Sequence, residues 1–159
     1  MNGIKEKIIE VHNSQSIEKT IGILLEMQTE SLNDKNFIEF IKENFANNIY
    51  KNEIDFFRYV QKWIFDHIEY TDDLYDETLI SPRVMIKILK GDCDDFAVFI
   101  KTILAAFNIK SNFILLGQSY GIFSHIAVYI PSYNIILDGT NSKFNYVDFN
   151  KYKFYKLVG

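Results

Sequence analysis

The chain has 159 residues, 48% of them apolar and 16% aromatic, which is enough for one domain with a buried core and too apolar for a disordered chain. Its net charge of −4, with lysines and acids interspersed, offers no basic stripe and so excludes nucleic acid as the main partner. A single cysteine, Cys93, excludes an intramolecular disulfide framework, and no apolar run reaches the ~18 residues that span a bilayer.

In chain order, Met1 to Glu10 alternates charge with Ile4, Ile8 and Ile9 and lacks the uninterrupted apolar stretch of a signal peptide. A cytoplasmic protein with no membrane association is therefore expected. Ile17, Ile21, Leu24, Leu25 and Met27 recur at helical spacing after Ser14 and Ser16, either of which can cap. Asn33 or Asp34 can cap a second helix with Phe37, Ile38, Phe40, Ile41 and Phe45 on its apolar face. A third helix is predicted from Glu53 to Ile68, with Phe56, Phe57, Val60, Trp63, Ile64 and Phe65 inward. Tyr70 to Glu77 is acidic and aperiodic and reads as a loop. Ser81-Pro82 opens a short helix with Val84, Met85, Ile88 and Leu89 facing the core. Gly91 breaks it, Asp92 stands at an N-cap position, and Cys93 to Phe107 forms a central helix that is apolar nearly all round.

After Asn108 the pattern changes to strands. Phe113 to Leu116 is a short buried run, Ile122 to Ile130 a second strand, Pro131 to Asn134 a turn, and Ile135 to Leu137 a third strand that ends at Asp138-Gly139. The tail from Phe144 to Val158 alternates aromatics with Lys and Asp and can add one or two strands. Helices first and strands second predict an α+β fold, with the nucleophile-bearing helix on a small antiparallel sheet. A single domain spanning 1–159 is expected, with a helical extension at 1–50, a core at 54–140 and a tail at 141–159.

The chemistry concentrates at Gly91-Asp92-Cys93-Asp94-Asp95. A thiol at a helix start sees the positive end of the helix dipole, which favours the thiolate, and a thiolate nucleophile needs a base. Of His12, His67 and His125, only His125 begins the apolar part of a strand, where an imidazole can reach across a sheet edge to a helix N-terminus. Asp138 ends the neighbouring strand. A hairpin that pairs Ile130 with Ile135 places Ala127 opposite Asp138 and His125 on the diagonal, within side-chain reach. Each residue alone has an ordinary reading: Cys as a small buried hydrophobe, His as a satisfied core residue, Asp-Gly as a turn. Nucleophile, histidine and acid in that order on a helix and two strands point instead to a Cys93-His125-Asp138 triad. Asp92, Asp94 and Asp95 raise the thiol pKa by their charge, and their ordinary role is capping. No histidine or loop spacing supports a metal site on them with Asp138, so neither a metal nor another cofactor is expected.

Gly91-Asp92-Cys93-Asp94-Asp95-Phe96-Ala97, followed by Leu104 to Ile109, resembles the nucleophile helix of transglutaminase-like cysteine enzymes, whose core is papain-like. Ser124-His125-Ile126-Ala127-Val128 resembles that family's His strand, Ile136 to Thr140 its Asp strand, and Ile68 to Thr71 the extended tyrosine segment before the nucleophile helix. Small versions occur in bacteria and their phages. The resemblance implies thiol attack by Cys93 on a carboxamide or peptide carbonyl of a protein or peptide substrate. An acyl-enzyme follows, resolved by water or by an amine. It also implies an oxyanion held by the Cys93 backbone N–H and a further donor, with Tyr70 as candidate and Trp63 as runner-up. The other function class is a catalytically idle relative that serves as a binding or assembly component, of a phage particle for instance, with tail aromatics such as Tyr152 or Tyr155 as contacts; a virion location would follow.

Overall fold

In the computed structural model, residues 14–72 and 79–159 are described, with side chains from residue 17 onward. The side chains of Ser14 and Ser16, and the acidic stretch 73–77, lie outside what is described. Helix α1, Ser14–Leu32, ends at Asn33-Asp34, and the Asp34 carboxylate accepts the Phe37 N–H at 2.9 Å to start α2, Lys35–Ile41. The chain runs on through a π-helical turn, Lys42–Ala46, and Asn52 caps α3, Glu53–His67, by accepting the Asp55 N–H at 2.9 Å. Strand β1 is Glu69–Tyr70, helix α4 is Pro82–Ile88, strand β2 is Lys90–Gly91 and helix α5 is Cys93–Ala106. Beyond α5 come β3, Asn112–Gly117, β4, His125–Ile130, β5, Ile135–Leu137, and β6, Phe154–Val158.

Helix α5 is buried without interruption from Cys93 to Leu104. It packs on β4 on one side and against α1 on another, so it is the axis of the core. Phe99, Ile100, Ile103 and Leu104 are wholly buried, each burial being worth about 1.5–3 kcal/mol. The antiparallel sheet runs in the order β5-β4-β3-β6. Ile130 pairs with Ile135 and Val128 with Leu137, the expected hairpin register. The tail adds one strand, β6, on the far edge of β3. Mixed helix and antiparallel sheet is the α+β arrangement the sequence predicts.

Four local readings need correction. Tyr70 is not in a loop: β1 pairs in parallel with β2, Tyr70 against Gly91, and the Thr71 N–H donates to the Gly91 carbonyl at 2.8 Å. Strand β4 begins at His125 rather than Ile122. A Cβ on Gly117 would stand 2.1 Å from the Ile122 carbonyl oxygen, so the chain at 122 folds back over the end of β3 before pairing resumes. Phe65 is 46% exposed, because α3 turns its other apolar positions inward. On α4 only Met85 of the four expected residues is buried: Val84, Ile88 and Leu89 are exposed, and the left-handed Leu89 (φ 54°) ends the helix after about two turns. Among the described residues no helix is long and apolar enough to cross a membrane.

Candidate active site

The start of α5 is fixed by carboxylates. Asp92 Oδ1 accepts the N–H groups of Asp94 (3.1 Å) and Asp95 (3.5 Å), and Asp95 Oδ2 accepts the Asp92 N–H at 3.0 Å, a reciprocal capping box. Asp95 Oδ1 also accepts the Ile80 N–H at 2.7 Å, which ties the approach to α4 to the start of α5. Gly91 permits this, since a Cβ there would stand 2.9 Å from Asp95 Cβ. Burial pushes the Asp95 carboxyl up to about 8, and the neighbouring Asp92 charge adds to the push. These bonds account for Asp92 and Asp95 as capping groups.

Cys93 is the first residue of α5 and is 1% exposed, with Sγ 4.0 Å from Asp94 Oδ1. His125 is the first residue of β4 and pairs with Leu116 of β3. Its Nε2 lies 2.7 Å from Asp138 Oδ2, just beyond the end of β5, and both side chains are nearly buried. The other Asp138 oxygen accepts the Thr140 N–H at 2.9 Å and the Thr140 hydroxyl at 2.6 Å. Burial alone would raise this carboxyl, but the His125 charge and the hydrogen bonds from His125 and Thr140 outweigh it and hold Asp138 below its ordinary value. With Nε2 engaged by Asp138, Nδ1 is the imidazole nitrogen left for another partner.

Two tyrosines lie close enough to Cys93 for its charge to act on them. Tyr70 sits on β1 with its ring edge-on to Phe96, centroids 6.0 Å apart. Its hydroxyl donates to Asp72 Oδ1 at 2.8 Å, and burial, then the Cys93 charge, hold it well above the ordinary phenol value. Trp63 stacks on His67 at 4.4 Å and meets Phe40 edge-on at 5.3 Å, which accounts for it as core packing.

Sequence reasoning missed two residues here. Gln61, on α3, is 2% exposed. Its side-chain nitrogen donates to the Asn141 and Lys143 carbonyls, both at 2.8 Å, while its oxygen accepts the Asp138 N–H at 3.2 Å. One buried amide thus holds the turn that carries Asp138. The available signal was angular: at 100° per residue Gln61 lies roughly 100° from Val60 on the helix wheel and Phe65 roughly 140°, so the glutamine is nearer the buried face. Tyr152, read from the sequence as a tail aromatic free for a partner, instead lays its ring on His125, centroids 5.8 Å apart and planes 15° apart. His125, Asp138, Thr140 and Tyr152 line one polar cavity of about 240 Å³.

A family model described as a transglutaminase-like domain matches residues 18–157. Calcium-bound LapG of Legionella pneumophila superposes with a TM-score of 0.55 at 19% identity, over 76% of this chain and 75% of LapG. A candidate cysteine protease from Cytophaga hutchinsonii gives 0.52 at 19% identity, over 72% of this chain and 38% of its own. A candidate protease from Parabacteroides distasonis gives 0.53 at 11% identity, over 77% and 30%. At these identities the likeness is one of fold, and the chain spans well under half of the last two proteins. No curated protein sequence matches the chain.

Proposed function

Because this chain belongs to the transglutaminase-like domain family, we propose that it is a cysteine enzyme acting on amide or peptide bonds of a protein substrate through Cys93, His125 and Asp138. The observation that carries the reading is the 2.7 Å contact between His125 Nε2 and Asp138, on a sheet packed against the helix that opens with Cys93. Structural likeness to a candidate cysteine protease supports the same class of substrate.

In this reading His125 Nδ1 takes the Cys93 proton, and the helix start favours the resulting thiolate. The thiolate attacks the carbonyl carbon, a C–S bond forms, and the carbonyl oxygen becomes an oxyanion bound by the Cys93 N–H. Collapse breaks the C–N bond, and the imidazolium passes its proton to the leaving amine, giving a thioester. His125 then deprotonates water, or an incoming amine, whose attack releases an acid or a new amide and returns the thiol. Asp138 holds the imidazole in the tautomer that presents Nδ1 to the thiol. Tyr70 is proposed as the second oxyanion donor, a role that requires its hydroxyl to leave Asp72.

Alkylation of Cys93 by iodoacetamide across pH ~5 to 9, with a peptide and carboxamide substrate panel, tests the assignment. Wild type is expected to react at low pH and His125→Ala to lose that reactivity. Identical profiles for the two proteins would sink the triad. A second reading, an idle binding module, is favoured by one observation: edge strand β6 exposes Phe154, Tyr155 and Leu157, with Tyr120 edge-on to Phe154. In that case Tyr155→Ala weakens partner capture while Cys93→Ser is silent.

A further inference from the structure

Tyr152 is held from both sides. Its N–H donates to the Asp148 carbonyl at 2.8 Å, in a turn that the Asp148 carboxylate closes by accepting the Asn150 and Lys151 N–H groups at 3.0 and 3.3 Å. The next residue, Lys153, donates its N–H to the Gly117 carbonyl at 3.0 Å, where β6 begins to dock on β3. Between these anchors the ring packs against the small apolar cluster of Ile114, Leu116 and Ala127. It therefore has little freedom, and the surface it presents to His125 is a nearly parallel, offset aromatic face.

We propose that Tyr152 is a positioning residue for His125, whose stacked ring fixes the imidazole plane toward Asp138 and favours the imidazolium form. This rests on the reading of His125 as the proton carrier. A cation over an electron-rich ring is stabilised by the ring quadrupole, most strongly where water is kept away. Here the paired side chains of His125 and Asp138 are 11% and 12% exposed, and Tyr152 forms part of the cover. Burial, then the charges of Asp138 and Cys93, push the phenol up to about 12, so the ring stays neutral from acid to mildly alkaline pH. Sharing the cavity with the imidazole are the titratable groups Asp138, after β5, and Tyr146, Asp148, Lys151 and Tyr152 on the tail, while Cys93 on α5 is near enough to Tyr152 for its charge to act on the phenol. Lys151 Nζ lies 5.2 Å from the Tyr152 ring centroid. Because imidazolium and thiolate form together, a ring that favours the first favours the second.

The test is the pH profile of Cys93 alkylation in wild type, Tyr152→Leu, Tyr152→Phe and His125→Ala, with melting temperatures alongside. Tyr152→Leu is expected to move the rising limb about one pH unit higher, so that alkylation below the limb slows about tenfold. Tyr152→Phe, which keeps the ring, is expected to restore the wild-type profile. Tyr152→Met stands in for Leu should the shorter side chain unsettle the tail. A merely structural role would lower the melting temperature without moving the limb. If His125→Ala shifts the profile while Tyr152→Leu and Tyr152→Met overlay wild type, Tyr152 does not position the imidazole and the triad reading survives. If Phe shifts the profile as Leu does, the hydroxyl matters and the stacking proposal is overturned. If His125→Ala itself overlays wild type, both readings fall together.

Discussion

Removing one atom at Cys93 separates chemistry from folding. Cys93→Ala takes away the proposed nucleophile and leaves a small void in a helix start whose capping bonds involve other residues, so the stability loss should be about 1 kcal/mol while turnover disappears. Asp138→Asn should behave differently. An amide can still face His125 and Thr140 but no longer stabilises an imidazolium, so turnover falls without vanishing. The pH dependence follows from the carboxyl being held below its ordinary value in the fold. Its contribution to stability is complete above the unfolded carboxylate range, about pH 4, and is lost as pH falls through the lower folded value. Urea titrations from neutral to acid pH should show Asp138→Asn losing less stability on acidification than wild type. Equal acid sensitivity of the two proteins would show that Asp138 is not the group responsible. The place of Cys93 at a helix start and the neighbourhood of His125 and Asp138 were legible in the sequence because a glycine break, a capping aspartate and a hairpin turn are local signals. Gln61 was not, because its three hydrogen-bond partners lie 77 to 82 residues away and an isolated Gln reads as a solvated surface residue.

Individual elements show where local pattern suffices and where packing decides. The start of α5 was legible to the residue, and the hairpin register follows from its turn. The length of β4 and the exposed face of α4 were not legible, because a carbonyl crossing Gly117 and a left-handed Leu89 are outcomes of packing. The capping box carries a pH signature opposite in sign to that of Asp138. In the fold, burial and the Asp92 charge raise Asp95, so between about pH 4 and about 8 the folded protein binds a proton that the unfolded chain has released. Stability from this group is therefore fullest at the acid end of that window and declines as pH rises through it. Asp95→Asn should flatten this decline, at the cost of one of the two bonds Asp95 makes to Ile80 and Asp92. Chemical denaturation at several pH values reads the slope, and a mutant as steep as wild type would locate the titrating group elsewhere.

For the whole molecule, the α+β fold packs the helix that opens with Cys93 against the interior strand β4, and a fold of this kind hosts more than one activity. Gln61 is one polar link between the two layers, reaching from α3 to the turn beyond β5. Gln61→Leu keeps much of the volume but leaves the Asn141 and Lys143 carbonyls and the Asp138 N–H without this partner. Orphaning a buried group costs about 1–3 kcal/mol, and these three bonds are only partly buried, so a total loss of roughly 3 kcal/mol is expected. If the amide serves catalysis only by placing Asp138, its effect on rate must vanish when Asp138 can no longer do its work. A double-mutant cycle makes this measurable: Gln61→Leu should slow turnover in the wild-type background and change it little in Asp138→Asn, while its stability cost persists in both. Equal rate losses in the two backgrounds would mean that Gln61 acts through something other than Asp138, and the link between the helical layer and the site would have to run by a different route.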